Sequence, residues 1–259
     1  MPSQLKSILE LIMKKTNILY FIILATISQF GYGMEKPKTT QSLLFSVLTT
    51  PAGIYGTLLA GNTCHELGHY AAARMAGIKS ENLKINIPLN PLNGARLDII
   101  SNQGQDPLTK LSKSTRAKIW AAGPLGGIMG CYAMLKLAHI VDAYQTTKSL
   151  DTAIIQGLQK PAVSPTNNSE YIGVLTGVCY HLRVNMHALI PQADKNRLSD
   201  GKRLYEEFYS HLSKAEQAKA FKTMYRATSG AARATPFMYV GLLAYNTISE
   251  SQKKACHRF

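Results

Sequence analysis

Three side chains in one short stretch have the types and spacing to do chemistry together. In residues 64–79, CHELGHYAAARMAGIK, His65 and His69 are four apart. On a helix they share a face, so both imidazoles can reach one ion. Glu66 projects beside them, where it can take a proton from water and pass it to a leaving amine. Histidine is scarce in this chain, 7 of 259 residues, so a His-Glu-x-x-His pattern is a zinc-hydrolase signal of some weight. Two imidazoles do not complete such a site, because catalytic zinc takes three protein ligands and keeps a fourth position open. No third ligand lies nearby. Ala72 and Met75 occupy the Gly and His positions of the extended motif, and after Glu81 the next Glu is Glu170. The third ligand must come from far along the chain, with Asp200, His181, His187, Asp98 and Asp194 as candidates.

The elements that must position these residues are written in the apolar pattern. Residues 43–64 carry no charge and run directly into the motif. Residues 16–33 are also uncharged and follow Lys6, Lys14 and Lys15, which marks 1–33 as an N-terminal membrane helix or signal segment. Residues 119–141 are apolar apart from Lys136 and His139, and 171–190 are apolar until His181, Arg183, Asn185 and His187. In lipid, such polar groups should face a cavity or the bundle interior. Gly123, Gly126, Gly127 and Gly130 suit close helix packing. Between these helices, 78–116 brings β-branched residues, prolines and an Asn-Gly pair, which predicts a hairpin at about 83–100. Residues 201–226 have the period of soluble amphipathic helices, with their charges expected on a solvated face. The apolar piece 234–248 is short for a span and is expected to lie at the membrane interface.

Lys and Arg total 29 against 15 Asp plus Glu, a formal net charge of +14. If 16–33, 43–64, 119–141 and 171–190 all cross a bilayer from a cytoplasmic N-terminus, the inner loops 74–118 and 194–233 hold eight and nine Lys/Arg. The outer loops 34–42 and 142–169 hold two each. That split follows the positive-inside rule and accounts for the charge without nucleic acid. Cys64, Cys131, Cys179 and Cys256 form no CxxC pair and are expected as free thiols rather than a disulfide framework.

Taken in order, these features resemble the site-2 proteases, a family of intramembrane zinc metalloproteases. An uncharged segment leads into HELGHYAAARMAGIK, and a strand-like stretch follows. AAGPLGGIMG (121–130) then opens the next span, and NMHALIPQADKNRLSDGKRL (185–204) carries a late Asn, Pro and Asp-Gly. The match covers roughly 43–205. It departs from the family pattern in two places. Gly127 stands where the family has Asn, and the late motif is stretched, with Asn185 six before Pro191 and Asp200 nine after it. The resemblance implies one zinc ion per chain held by His65, His69 and Asp200, with Glu66 as general base and Asn185 in support. In favour of Asp200, Asp200-Gly201 opens a predicted helix just beyond the span ending near Ile190.

The expected fold is mostly α, a polytopic membrane helical bundle with a small β-hairpin after the motif helix. Segment 1–33 leads into a catalytic core at 43–205 and a C-terminal helical region at 206–259. The expected activity is intramembrane peptide hydrolysis on a membrane-protein substrate, by a multi-pass protein whose N-terminus and active site face the cytoplasm. The competing expectations are a soluble or secreted zinc peptidase and a non-proteolytic membrane protein with a degenerate zinc site.

Overall fold

The computed structural model describes residues 40–91, 94–101, 106–161, 169–191, 193–194 and 197–256. The expected N-terminal segment 1–33 lies outside them. The fold is mostly helical: α1 (Thr40–Met75), α2 (Lys113–Thr147), α3 (Leu150–Gln159), α4 (Ser169–Ala188), α5 (Asp200–Tyr209) and α6 (Lys214–Cys256). The expected hairpin forms from β1 (Leu83–Asn86) and β2 (Arg96–Ile99), paired antiparallel with Leu83 opposite Ile99 and Ile85 opposite Leu97. A second pair, β3 (Ala193–Asp194) and β4 (Arg197–Leu198), links α4 to α5.

α1 ends less than two turns after the histidine motif, where Gly77 adopts a left-handed φ of 89°. Gly77 N–H then bonds the Arg74 carbonyl and Ile78 N–H the Ala73 carbonyl, which satisfies the last helical carbonyls and turns the chain back. That reversal carries Ile78 and Leu83 onto Ala73, Ile119 and Trp120, forming an apolar cluster beneath the hairpin. The segment before β2 is tied to α1 as well. Tyr55 donates to the Leu89 carbonyl at 2.5 Å and Asn62 to the Pro91 carbonyl at 2.7 Å.

α2 starts at a Ser112 cap, whose hydroxyl accepts from Thr115 N–H. It packs closely on α1, since a Cβ added at Gly126 or Gly130 would strike Cys64. The glycine spacing therefore does serve helix packing, as the sequence suggests. A second core, with Leu135, Tyr171, Leu175, Val178 and Tyr239, joins α2, α4 and α6. Cys64, Cys131 and Cys179 are free thiols.

One expectation changes. Residues 214–256 form one continuous helix instead of an amphipathic helix followed by a separate apolar piece. Pro236 sits inside it and removes one backbone donor. Among the described residues one helix, Lys113–Thr147, is long and apolar enough to cross a membrane. Residues 43–64 and 171–188 are helical, but Thr, Gly, Asn and His dilute their apolar character.

Candidate metal centre

His65 and His69 lie on the last turns of α1, where the helical period puts both rings on the side facing α2 and α5. His65 Nδ1 faces the side-chain oxygen of Asn185 at 2.9 Å, and His69 Nδ1 faces the Ile119 carbonyl at 2.7 Å. Both partners are acceptors, so each Nδ1 carries the proton and donates it, leaving each Nε2 with a lone pair. Those two Nε2 atoms stand 3.2 Å apart. The Asp200 carboxylate completes the triangle, with one oxygen 3.1 Å from His65 Nε2 and 3.4 Å from His69 Nε2.

Three lone pairs turned toward one another repel unless a proton or a metal cation lies between them. The spacing suits one: ligands about 2.0–2.1 Å from an ion at tetrahedral angles stand roughly 3.3–3.4 Å apart. The His-His-Asp group is thus able to hold a metal ion, and it is the one such cluster among the described residues. Burial opposes charge on Asp200, but when protons on the two Nε2 atoms bridge the triad in place of an ion, the imidazoles hydrogen-bond the carboxylate and hold it well below the usual carboxylate range. The group is an anion at neutral pH, as a metal ligand must be.

Each ligand is delivered by a specific device. Gly123 makes room for His69, because a Cβ there would fall within its ring. Ser199 caps α5, its hydroxyl donating to the Ile190 carbonyl at 2.6 Å and accepting from Lys202 N–H at 3.0 Å, which fixes where Asp200 begins the helix. Gly201 lets that turn press against the Leu189 carbonyl. Glu66 is buried at 7% exposure beside the triad, within electrostatic reach of all three ligands. The backbone of Leu97 lies near enough to favour the charged form of Glu66, so β2 reaches the edge of the site.

The other third-ligand candidates lie elsewhere. Asp98 pairs with Arg96 at 3.0 Å on the hairpin. His187 is exposed, and the Asp194 side chain is outside the described set. His181 is buried at 1% exposure between Gly61 and Gly127, outside the ligand triangle. Asn185 acts by orienting His65. Sequence reasoning missed Ile119 and Leu97, which act through backbone groups and leave no side-chain signal. It also missed Arg116, Trp120, Arg203 and Glu207, which fasten α5 to α2. The spacing of four within each pair was the available clue. Arg203 and Glu207 accordingly leave the solvated face expected for 202–226.

No protein-family model matches the chain, and no curated protein or solved structure matches it.

Proposed function

We propose that the chain is a zinc-dependent endopeptidase of the site-2 type, hydrolysing peptide bonds in or next to transmembrane segments of other membrane proteins. The observation that carries this reading is the convergence of Asp200 on His65 and His69 from 135 positions away, with Glu66 alongside. Zinc held by those three side chains would supply Lewis acidity toward a peptide carbonyl and lower the proton affinity of an attacking water. Glu66 accepts that water's proton and delivers it to the departing amine. The Leu97 backbone favours the charged form of Glu66, while Asn185 and Ile119 keep both histidines in one tautomer.

A helical substrate hides its carbonyls in its own hydrogen bonds, so it must unwind before reaction. β2 lies against Glu66. An extended peptide laid alongside the hairpin would therefore present a carbonyl at the metal centre.

The pattern of α2 supports a lipid setting. Leu125, Met129, Tyr132, Leu137 and Val141 are exposed, whereas Gly123, Gly127, Lys136 and His139 are buried. This is the reverse of a water-facing helix. Together with the Lys/Arg excess in 74–118 and 194–233, it supports a multi-pass chain with its N-terminus and metal centre on the cytoplasmic side. The same excess, assigned to loops, leaves nucleic acid without a role.

Zinc content should be one per chain in the wild type and near zero in Asp200→Ala. Glu66→Gln should retain zinc yet lose cleavage of a reporter carrying a transmembrane segment. Unchanged cleavage in that variant rejects the protease reading and leaves a non-proteolytic zinc protein. Carbonate extraction should leave the chain in the membrane pellet, and release into the supernatant would leave the soluble-peptidase alternative.

A further inference from the structure

We propose that Arg116, Trp120, Arg203 and Glu207 form a two-rung clamp that closes the metal centre by setting the register of α5, so that Asp200 reaches His65 and His69. The inference deepens the proposed function and rests on its metal site.

The outer rung is a bidentate ion pair. Arg116 Nε donates to one Glu207 oxygen at 2.7 Å and Nη2 to the other at 2.8 Å. Arg116 is itself anchored, with Nη1 donating to the Leu111 carbonyl at 2.7 Å. The inner rung is the Arg203 guanidinium, 4.0 Å from the centre of the Trp120 ring. Trp120 in turn meets His69 edge-on, with ring centres 6.0 Å apart.

The spacing ties the rungs to the ligand. Arg116 and Trp120 are four apart on α2, and Arg203 and Glu207 are four apart on α5. Their pairing, 116 with 207 and 120 with 203, makes the two helices antiparallel at this contact. One further step along the same ladder pairs the Gly123 turn with Asp200. Gly123 is the residue that makes room for the His69 ring.

α5 is also held by the Ser199 cap on the Ile190 carbonyl, by Leu204 against the Ile119–Trp120 cluster and by Tyr205 donating to the Gln217 carbonyl. Of its ten residues, however, only Gly201 and Tyr205 are buried, so apolar burial contributes modestly to its docking on α2. Charge-assisted bidentate bonds and guanidinium stacking are the stronger fasteners available. The third ligand therefore sits on a detachable element, whereas the two histidines sit on the bundle itself. These four residues position Asp200 and do not touch substrate.

The test uses the full chain in detergent and two readouts. The first is zinc affinity by competition with a chromophoric chelator. Glu207→Gln should weaken it roughly tenfold or more, and the swap Arg116→Glu with Glu207→Arg should restore most of that loss. No loss in Glu207→Gln, or no recovery in the swap, would overturn the proposal. The second readout is backbone amide exchange over 200–209 in the metal-free protein. It should accelerate in Glu207→Gln and slow again in the swap, and unchanged exchange would also overturn the clamp. Arg116→Lys keeps the charge without the fork and should fall between. Absence of zinc from the wild type counts against the proposed function alone, since the exchange arm still decides the clamp.

Discussion

Where α2 passes residues 119–123, the histidines beside it have one ring nitrogen engaged by an oxygen and the other aimed at Asp200. Farther along the same helix, Lys136 is just as deeply buried, but its ammonium donates to the Leu158 carbonyl at 2.8 Å and to the Lys160 carbonyl, closing the end of α3. His139 nearby lies flat on Tyr171, with ring centres 4.9 Å apart. Both regions bury polar groups inside apolar helices, at similar solvation cost. In the first they converge on one point and leave it electron-rich. In the second each group is absorbed by local carbonyls or rings. Burial of a histidine is therefore a poor guide to function, and the direction of its second nitrogen is a good one.

The two regions should differ most at the candidate ligands. His69→Ala should abolish zinc binding, while His139→Ala should keep one zinc per chain and lose only thermal stability. Metal analysis beside melting curves reads both. Gly123→Ala should come next, because a methyl placed within the His69 ring must displace helix or ligand. A loss of about 1–3 kcal/mol by chemical denaturation is expected from overpacking, together with strongly reduced zinc affinity.

Asn185→Leu should weaken zinc about 10–100-fold by freeing the His65 ring to turn. His181→Phe, one helical turn away, should leave zinc affinity unchanged. It should cost some stability, because the larger ring must fit the tight space between Gly61 and Gly127, which offsets removal of two ring nitrogens that lack a hydrogen-bond partner among the described residues. Lys136→Met should have the smallest reach. It should cost about 1–2 kcal/mol through the carbonyls left unpaired at the end of α3, with zinc affinity untouched. A change in zinc affinity there would show that the two regions are coupled.

The legible parts of this molecule were the local ones. His65, Glu66 and His69 announce themselves because a helix converts a spacing of four into proximity. The hairpin is announced by its turn residues, and the packing glycines by their period. Asp200 was one of five candidates, because its contact with the histidines spans 135 positions and nothing local encodes it. Glu207 was harder still. A charged residue on an amphipathic helix has the same periodicity whether it faces water or Arg116, so the pattern alone assigned it to solvent. The unity of 214–256 was obscured by the change from charged to apolar residues near Ala234, which composition divides and the backbone does not.

The left-handed turn at Gly77 and the late arrival of Asp200 together impose an order in time. As the chain is synthesised, His65, Glu66 and His69 are complete long before α4 and α5 exist. For more than a hundred residues of synthesis the nascent protein carries two ligands and no third. The group able to hold a metal ion is thus incomplete until the helices from 169 onward have docked. A chain cut before Asp200 lacks the third side chain of that group.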